Sequence, residues 1–177
     1  MQPWRVIVVT CAAGALPQAR PAVTLAMVRE AFHRTPWATL TTTIQPVGGI
    51  TLVNLDTYYA ASWGESGYGP GEVDALDPAS MLGYQVDIRP RLVGYRYAFG
   101  DGSEFGPTPN PGGPWPTGTI RHQYTTTGAK TVAVTATVGA DFRIDGGTWA
   151  PIPDTVTLTA ASTTLTVKQA PAVLINP

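Results

Sequence analysis

Apolar and polar residues recur with two different periods along this chain, and the change of period divides it. Over residues 20–36, Ala22, Leu25, Val28, Ala31 and Phe32 return every three or four positions, with Arg29, Glu30 and Arg34 on the other side. That spacing predicts one short amphipathic helix, with Pro21 in its first turn and Pro36 as its stop. Beyond it the period drops to two. Residues 39–45 and 50–59 are dense in Thr, Ile, Val, Leu and Tyr around the turn signal Pro46-Val47-Gly48-Gly49, and are expected to form a hairpin. Residues 82–88, 92–99, 119–124 and 131–138 alternate in their turn. Residues 142–149 read as a hairpin about Asp145-Gly146-Gly147, and 155–167 supply a last long strand. Two stretches break the pattern, 64–78 and 106–118, both rich in Gly and Pro; loops of that length in a compact domain are functional or mobile. The expectation is an all-β fold with one short N-terminal helix.

Composition narrows the setting. The chain of 177 residues is long enough for one substantial core with or without an appendage. Only 13% of residues are charged while Gly and Pro number 19 and 17, the profile of short strands joined by many turns. A formal net charge of −1, with Lys and Arg scattered, leaves no basic field and argues against nucleic acid as a partner. Cys11 is the single cysteine, so the chain has no internal disulfide. Arg5 ahead of the apolar run 6–16, with Ala13-Gly14-Ala15 as a small-x-small site, fits a signal peptide within residues 1–19. A buried first strand at 6–9 fits the same residues, and the run is too short to be an integral membrane segment. Val173, Leu174 and Ile175 form an apolar tail expected to pair with a strand or a partner.

The most specific motif is Tyr97-Ala98-Phe99-Gly100-Asp101-Gly102-Ser103, followed by His122-Gln123-Tyr124 and Gly128. Gly100 and Gly102 accept positive φ without a Cβ penalty, and Asp101 can bond its own backbone two residues on, so an aromatic strand is expected to break there into a tight turn. Phe99, Gly100, Asp101, Gly102, His122 and Tyr124 together resemble the signature of the polycystic-kidney-disease-type (PKD) domain. The resemblance covers about residues 81–138 as a core, within an extended unit spanning 37–177. The whole chain also resembles small secreted bacterial proteins of unassigned function, through residues 51–55 and 142–149. The resemblance implies an immunoglobulin-like β-sandwich that is surface-exposed and non-catalytic and makes protein or polysaccharide contacts.

The chain's reactive side chains agree with a non-enzyme reading. Neither His33 nor His122 has a Glu or Cys at metal spacing, and Gly64-Glu65-Ser66-Gly67 lacks the order of a nucleophile elbow. No cofactor is expected. The acidic residues Glu65, Glu72, Asp74 and Asp77 offer oxygen ligands for Ca²⁺ without the order of a known calcium loop; a solvated loop is the competing reading. Five aromatics, Tyr58, Tyr59, Trp63, Tyr68 and Trp115, fall on or beside the two long loops. They either form a contact surface for sugars or proteins, or fold back to cap the sheets. The sequence therefore points to a secreted or surface-displayed binding module for a protein or polysaccharide partner, expected as a monomer, and alternatively to a structural subunit of an extracellular fibre, surface assembly or viral particle, expected to self-assemble.

Overall fold

The computed structural model describes residues 20–170; the segment 1–19, read as signal peptide or first strand, and the apolar tail at 173–177 lie outside the described residues. In chain order come α1 (Leu25–Arg34), β1 (Leu40–Gln45), β2 (Ile50–Leu52), β3 (Thr57–Trp63), β4 (Asp74–Ala75), a 3-10 turn (Pro78–Met81), β5 (Val86–Ala98), β6 (Glu104–Thr108), β7 (Arg121–His122), β8 (Gly128–Ile144), β9 (Ala150–Thr159) and β10 (Thr163–Lys168). The described chain is all-β with one short α-helix. Three strands form a small, curled sheet in the order β1-β3-β7; the rest form a larger one, β2-β10-β8-β5-β4, with β6 also on β5 and β9 also on β8.

Several boundaries differ from those the sequence predicts. The helix begins at Leu25, with Pro21 outside it, because the Thr24 hydroxyl caps its N-terminus by accepting from the Met27 amide at 3.3 Å. The hairpin expected around Pro46 does not form. Instead β1 pairs antiparallel with β3, while Gly48 and Gly49, at φ +92° and +70°, turn the chain across to the large sheet, where β2 lies parallel to β10. Residues 155–167 do not make one strand: β9 and β10 follow each other along the same side of β8, interrupted at Ala160. The turn at Asp145-Gly146 joins β8 to β9 as expected, with the Gly147 amide donating to the Ile144 carbonyl at 2.9 Å.

β5 runs unbroken through Pro90, where the sequence suggests two strands. The Pro90 carbonyl accepts from the Gly71 amide at 2.9 Å, so this residue turns its backbone polar edge away from β8, and proline's missing N–H costs no ladder bond. Farther along, Leu92 faces Val138 and Gly94 faces Thr137, leaving Val93 as an extra residue in a bulge. One inserted residue reverses the parity of every position beyond it on the strand. Val86, Ile88 and Pro90 therefore share a sheet face with Tyr95, Tyr97 and Phe99, although even positions give way to odd ones. That single face carries two apolar clusters. Tyr95, Tyr97, Phe99, Val132, Val134 and Leu165 pack with Leu40, Tyr59 and Ala61 of the small sheet. Val86, Ile88, Ala140 and Ile152 pack with Val28 and Phe32 of α1. Asp154, in the irregular part of β9, fastens the helix by accepting from Arg29 Nε at 2.8 Å and from His33 Nε2 at 3.0 Å.

Candidate functional site

The turn after β5 is built as the motif requires, and its side chains form one connected network. Gly100 and Gly102 sit at φ +81° and +93°. Asp101 Oδ1 accepts from the Ser103 amide at 3.0 Å, and Oδ2 accepts from His122 Nε2 at 2.7 Å, so the proton of this imidazole lies on Nε2. His122 stacks on Phe99 with ring centroids 4.3 Å apart and planes 4° from parallel, and meets Tyr124 edge-on. The buried Tyr124 hydroxyl donates to the Phe99 carbonyl at 2.9 Å and accepts from Tyr59 at 2.7 Å. Burial, then the bond to Tyr124, pushes the Tyr59 phenol far above its ordinary range. The six motif residues thus join the end of β5, the β7 line and β3. They tie the small sheet to the end of β5, and the Ser103 hydroxyl, which donates to Asp101 Oδ1, lies 3.4 Å from His122 Nε2.

The Asp101 carboxyl carries a measurable consequence. Burial alone would raise its pKa, but the bonds from Ser103 and His122 and the His122 charge outweigh this and hold it at about 2, below the ordinary 3.8. A depressed carboxylate stabilises the fold above its unfolded-state pKa, and that contribution disappears as pH falls through the folded value. Between about pH 4 and pH 2 the wild type is therefore expected to lose on the order of 1–2 kcal/mol more stability than Asp101→Asn, allowing for the part of the side chain that water screens. Urea melts of both proteins across that range check it, and parallel curves would remove Asp101 from the account.

The acidic residues do not converge. Glu65 is exposed; Glu72 accepts from the Gly69 amide at 2.6 Å; Asp77 caps the 3-10 turn by accepting from the Ala79 amide at 2.9 Å. Asp74 alone is buried, 7% exposed, and burial raises its carboxyl above the ordinary range. Among the described residues no three His, Cys, Asp or Glu side chains come together in a way that suits a metal ion.

The aromatics divide between the two readings of contact surface and cap. Tyr59 lies in the core, fully buried. Trp63 packs against that core and donates from Nε1 to the Tyr95 hydroxyl at 2.8 Å. Tyr68 is half-buried, with its backbone bonded to Pro36 and Ala38. Tyr58 is buried too, 9% exposed, but lines a surface groove together with Trp115, which stands mainly in water. Residues 111–113 and 120–122 both run beside β3, and the segment between them makes a short excursion whose neck is closed where Gly118 lies against Gly113. A Cβ on Gly118 would strike the Gly113 carbonyl oxygen. Trp115 projects from this excursion, 68% exposed, with its amide donating to Gln45 Oε1 at 2.7 Å.

Beside Trp115 lies a groove of about 440 Å³ lined by Gln45, Pro46, Val47, Leu55, Asp56 and Tyr58. Val47 is among the most exposed large apolar side chains of the described residues. The groove's carboxylate is already engaged: Asp56 accepts from Arg121 at 3.2 Å and from Gln123 at 2.8 Å. Gln45, Pro46, Val47 and Leu55 escaped the sequence reading because the two turns that carry them meet Trp115 only in the fold. An exposed valine within a Pro-Gly turn was the one available sign. No known family model matches the chain, and a search of curated proteins finds no relative.

Proposed function

We propose that this protein is a non-catalytic, secreted or surface-displayed binding module of the immunoglobulin-like, PKD-type sandwich class, and that it holds a partner protein through Trp115 and the adjoining groove. The observation that carries the reading is the presentation of Trp115. A large flat ring is kept in water at the tip of a loop with a closed neck, beside an apolar trough, and such rings are the usual anchors of interfaces. Support for the sandwich class comes from the strand order: β1-β3-β7 facing β10-β8-β5, with β2 crossing over to run parallel to β10, is the arrangement expected of immunoglobulin-type strands A-B-E and G-F-C. The apolar run 6–16 supports export.

A protein segment suits the groove better than a polysaccharide. Sugars need free donors and acceptors around the stacking ring, and here the Asp56 carboxylate and Gln45 Oε1 are engaged within the chain, leaving a lining of Pro46, Val47, Leu55 and the largely buried Tyr58. An extended segment rich in proline and apolar residues matches that lining. The test is an array of apolar and proline-rich peptides alongside a glycan array, probed with the wild type and Trp115→Ala. Peptide binding that drops by about 1–3 kcal/mol in the variant, with an unchanged melting temperature, is the expected outcome. Glycan binding that depends on Trp115, or peptide binding indifferent to it, would overturn the assignment.

A further inference from the structure

We infer that the edge of β1 left unpaired among the described residues is the interface of a two-fold dimer, in which β1 pairs antiparallel with β1 of a second copy. A bare strand edge is a template for another strand, and proteins that stay apart blunt such edges with proline, charge, bulges or shortness. Among the described residues the other edges are blunted in these ways. β2, β4 and β7 have three, two and two residues. β6 carries Glu104 and Pro107 and an irregular register, and β9 carries Pro151, Pro153 and a bulge at Asp154. β1 has none of these devices. Its six residues pair with β3 in unbroken register, it contains no proline, and no charged residue lies between Arg34 and Asp56.

The strand is also complementary to itself. A two-fold axis through Thr42 sets Thr42 opposite its counterpart, Leu40 opposite Ile44, and Thr41 opposite Thr43. Leu40, Thr42 and Ile44 occupy the less exposed face and Thr41 and Thr43 the exposed one, so apolar meets apolar inside and threonine meets threonine outside. A slip of one residue would oppose inward and outward side chains and lose this match. One further observation favours the same register. The Thr42 hydroxyl oxygen is buried without a hydrogen-bond partner among the described residues, a condition folded chains seldom leave standing. A second Thr42, one strand spacing away on the same face, brings a donor and an acceptor once χ1 rotates. The result is a six-stranded sheet in the order β7-β3-β1-β1-β3-β7.

Sedimentation velocity on the full chain, carried to about 100 µM because one strand pair is a small interface, is expected to show a monomer–dimer equilibrium. The paired change Thr41→Lys with Thr43→Lys sets like charges opposite each other, as does Thr41→Glu with Thr43→Glu; each variant alone is expected to dimerise at least about tenfold more weakly. An equimolar mixture of the two is expected to recover the dimer, because Lys then meets Glu across the strand pair. In a Cys11→Ser background, Thr42→Cys is expected to give a disulfide-linked dimer on oxidation, and this variant decides the matter if the charged ones melt early. A monomer at every concentration, a dimer indifferent to the charges, or a failure of Thr42→Cys to cross-link would each overturn the pairing.

Discussion

Gly100→Ala is expected to destabilise the protein by about 3 kcal/mol or more, far beyond the effect of the same change two residues later. Both glycines hold positive φ, which costs a residue with a Cβ roughly 1–2 kcal/mol. The difference lies in the space around them. A Cβ at Gly100 would sit 2.5 Å from the Thr131 carbonyl oxygen, whereas at Gly102 nothing lies within 4 Å. Thr131 belongs to β8, the strand that every layer shares, so the clash cannot be relieved by moving a side chain. Gly102→Ala is accordingly expected to show the backbone cost alone, about 1 kcal/mol. Urea denaturation of the two variants checks this; equal midpoints would mean that the approach of Gly100 to β8 is not tight.

Trp63→Ala is expected to remove about 3–4 kcal/mol of stability, and Trp115→Ala almost none. Trp63 loses its packing against the core, its contact with the Tyr95 ring at 6.5 Å between centroids, and its hydrogen bond to the Tyr95 hydroxyl. The Tyr95 hydroxyl then faces a cavity. Trp115 touches mainly its own loop and the groove, so its truncation exposes little. Thermal melts of the two variants measured side by side distinguish an aromatic that caps the core from one held out for a partner. A large drop for Trp115→Ala would move it into the structural group.

What the sequence made legible was local chemistry. The Gly-Asp-Gly turn, the Asp145-Gly146 hairpin and the helix about Val28 and Phe32 are encoded within a few residues, and each is where the pattern predicts it. The failures share one cause. Residues 46–49 carry every mark of a hairpin turn, yet the partner of β1 is β3, a choice made by the fit of Leu40, Tyr59 and Ala61 over the large sheet and invisible in the turn itself. Alternation split β5 into 82–88 and 92–99, because the pattern carries no record of which way Pro90 turns its backbone polar edge. Tyr58 and Tyr59 are adjacent and identical, and only the side of the sheet each one faces sends the first to the groove and the second to the core.

The bulge at Val93 bears on how the molecule comes apart. β5 and β8 pass beneath the small sheet at one end and beneath α1 at the other, and the extra residue lets the same two strands serve both. Without it, a straight alternation would turn either Val86 and Ile88 or Tyr95, Tyr97 and Phe99 to the wrong side. The helix layer and the small-sheet layer consequently cannot melt as separate units. Loosening one exposes strands whose pairing the other depends on, so a partner that grips the far end of the small sheet is mechanically in series with a helix that it never touches.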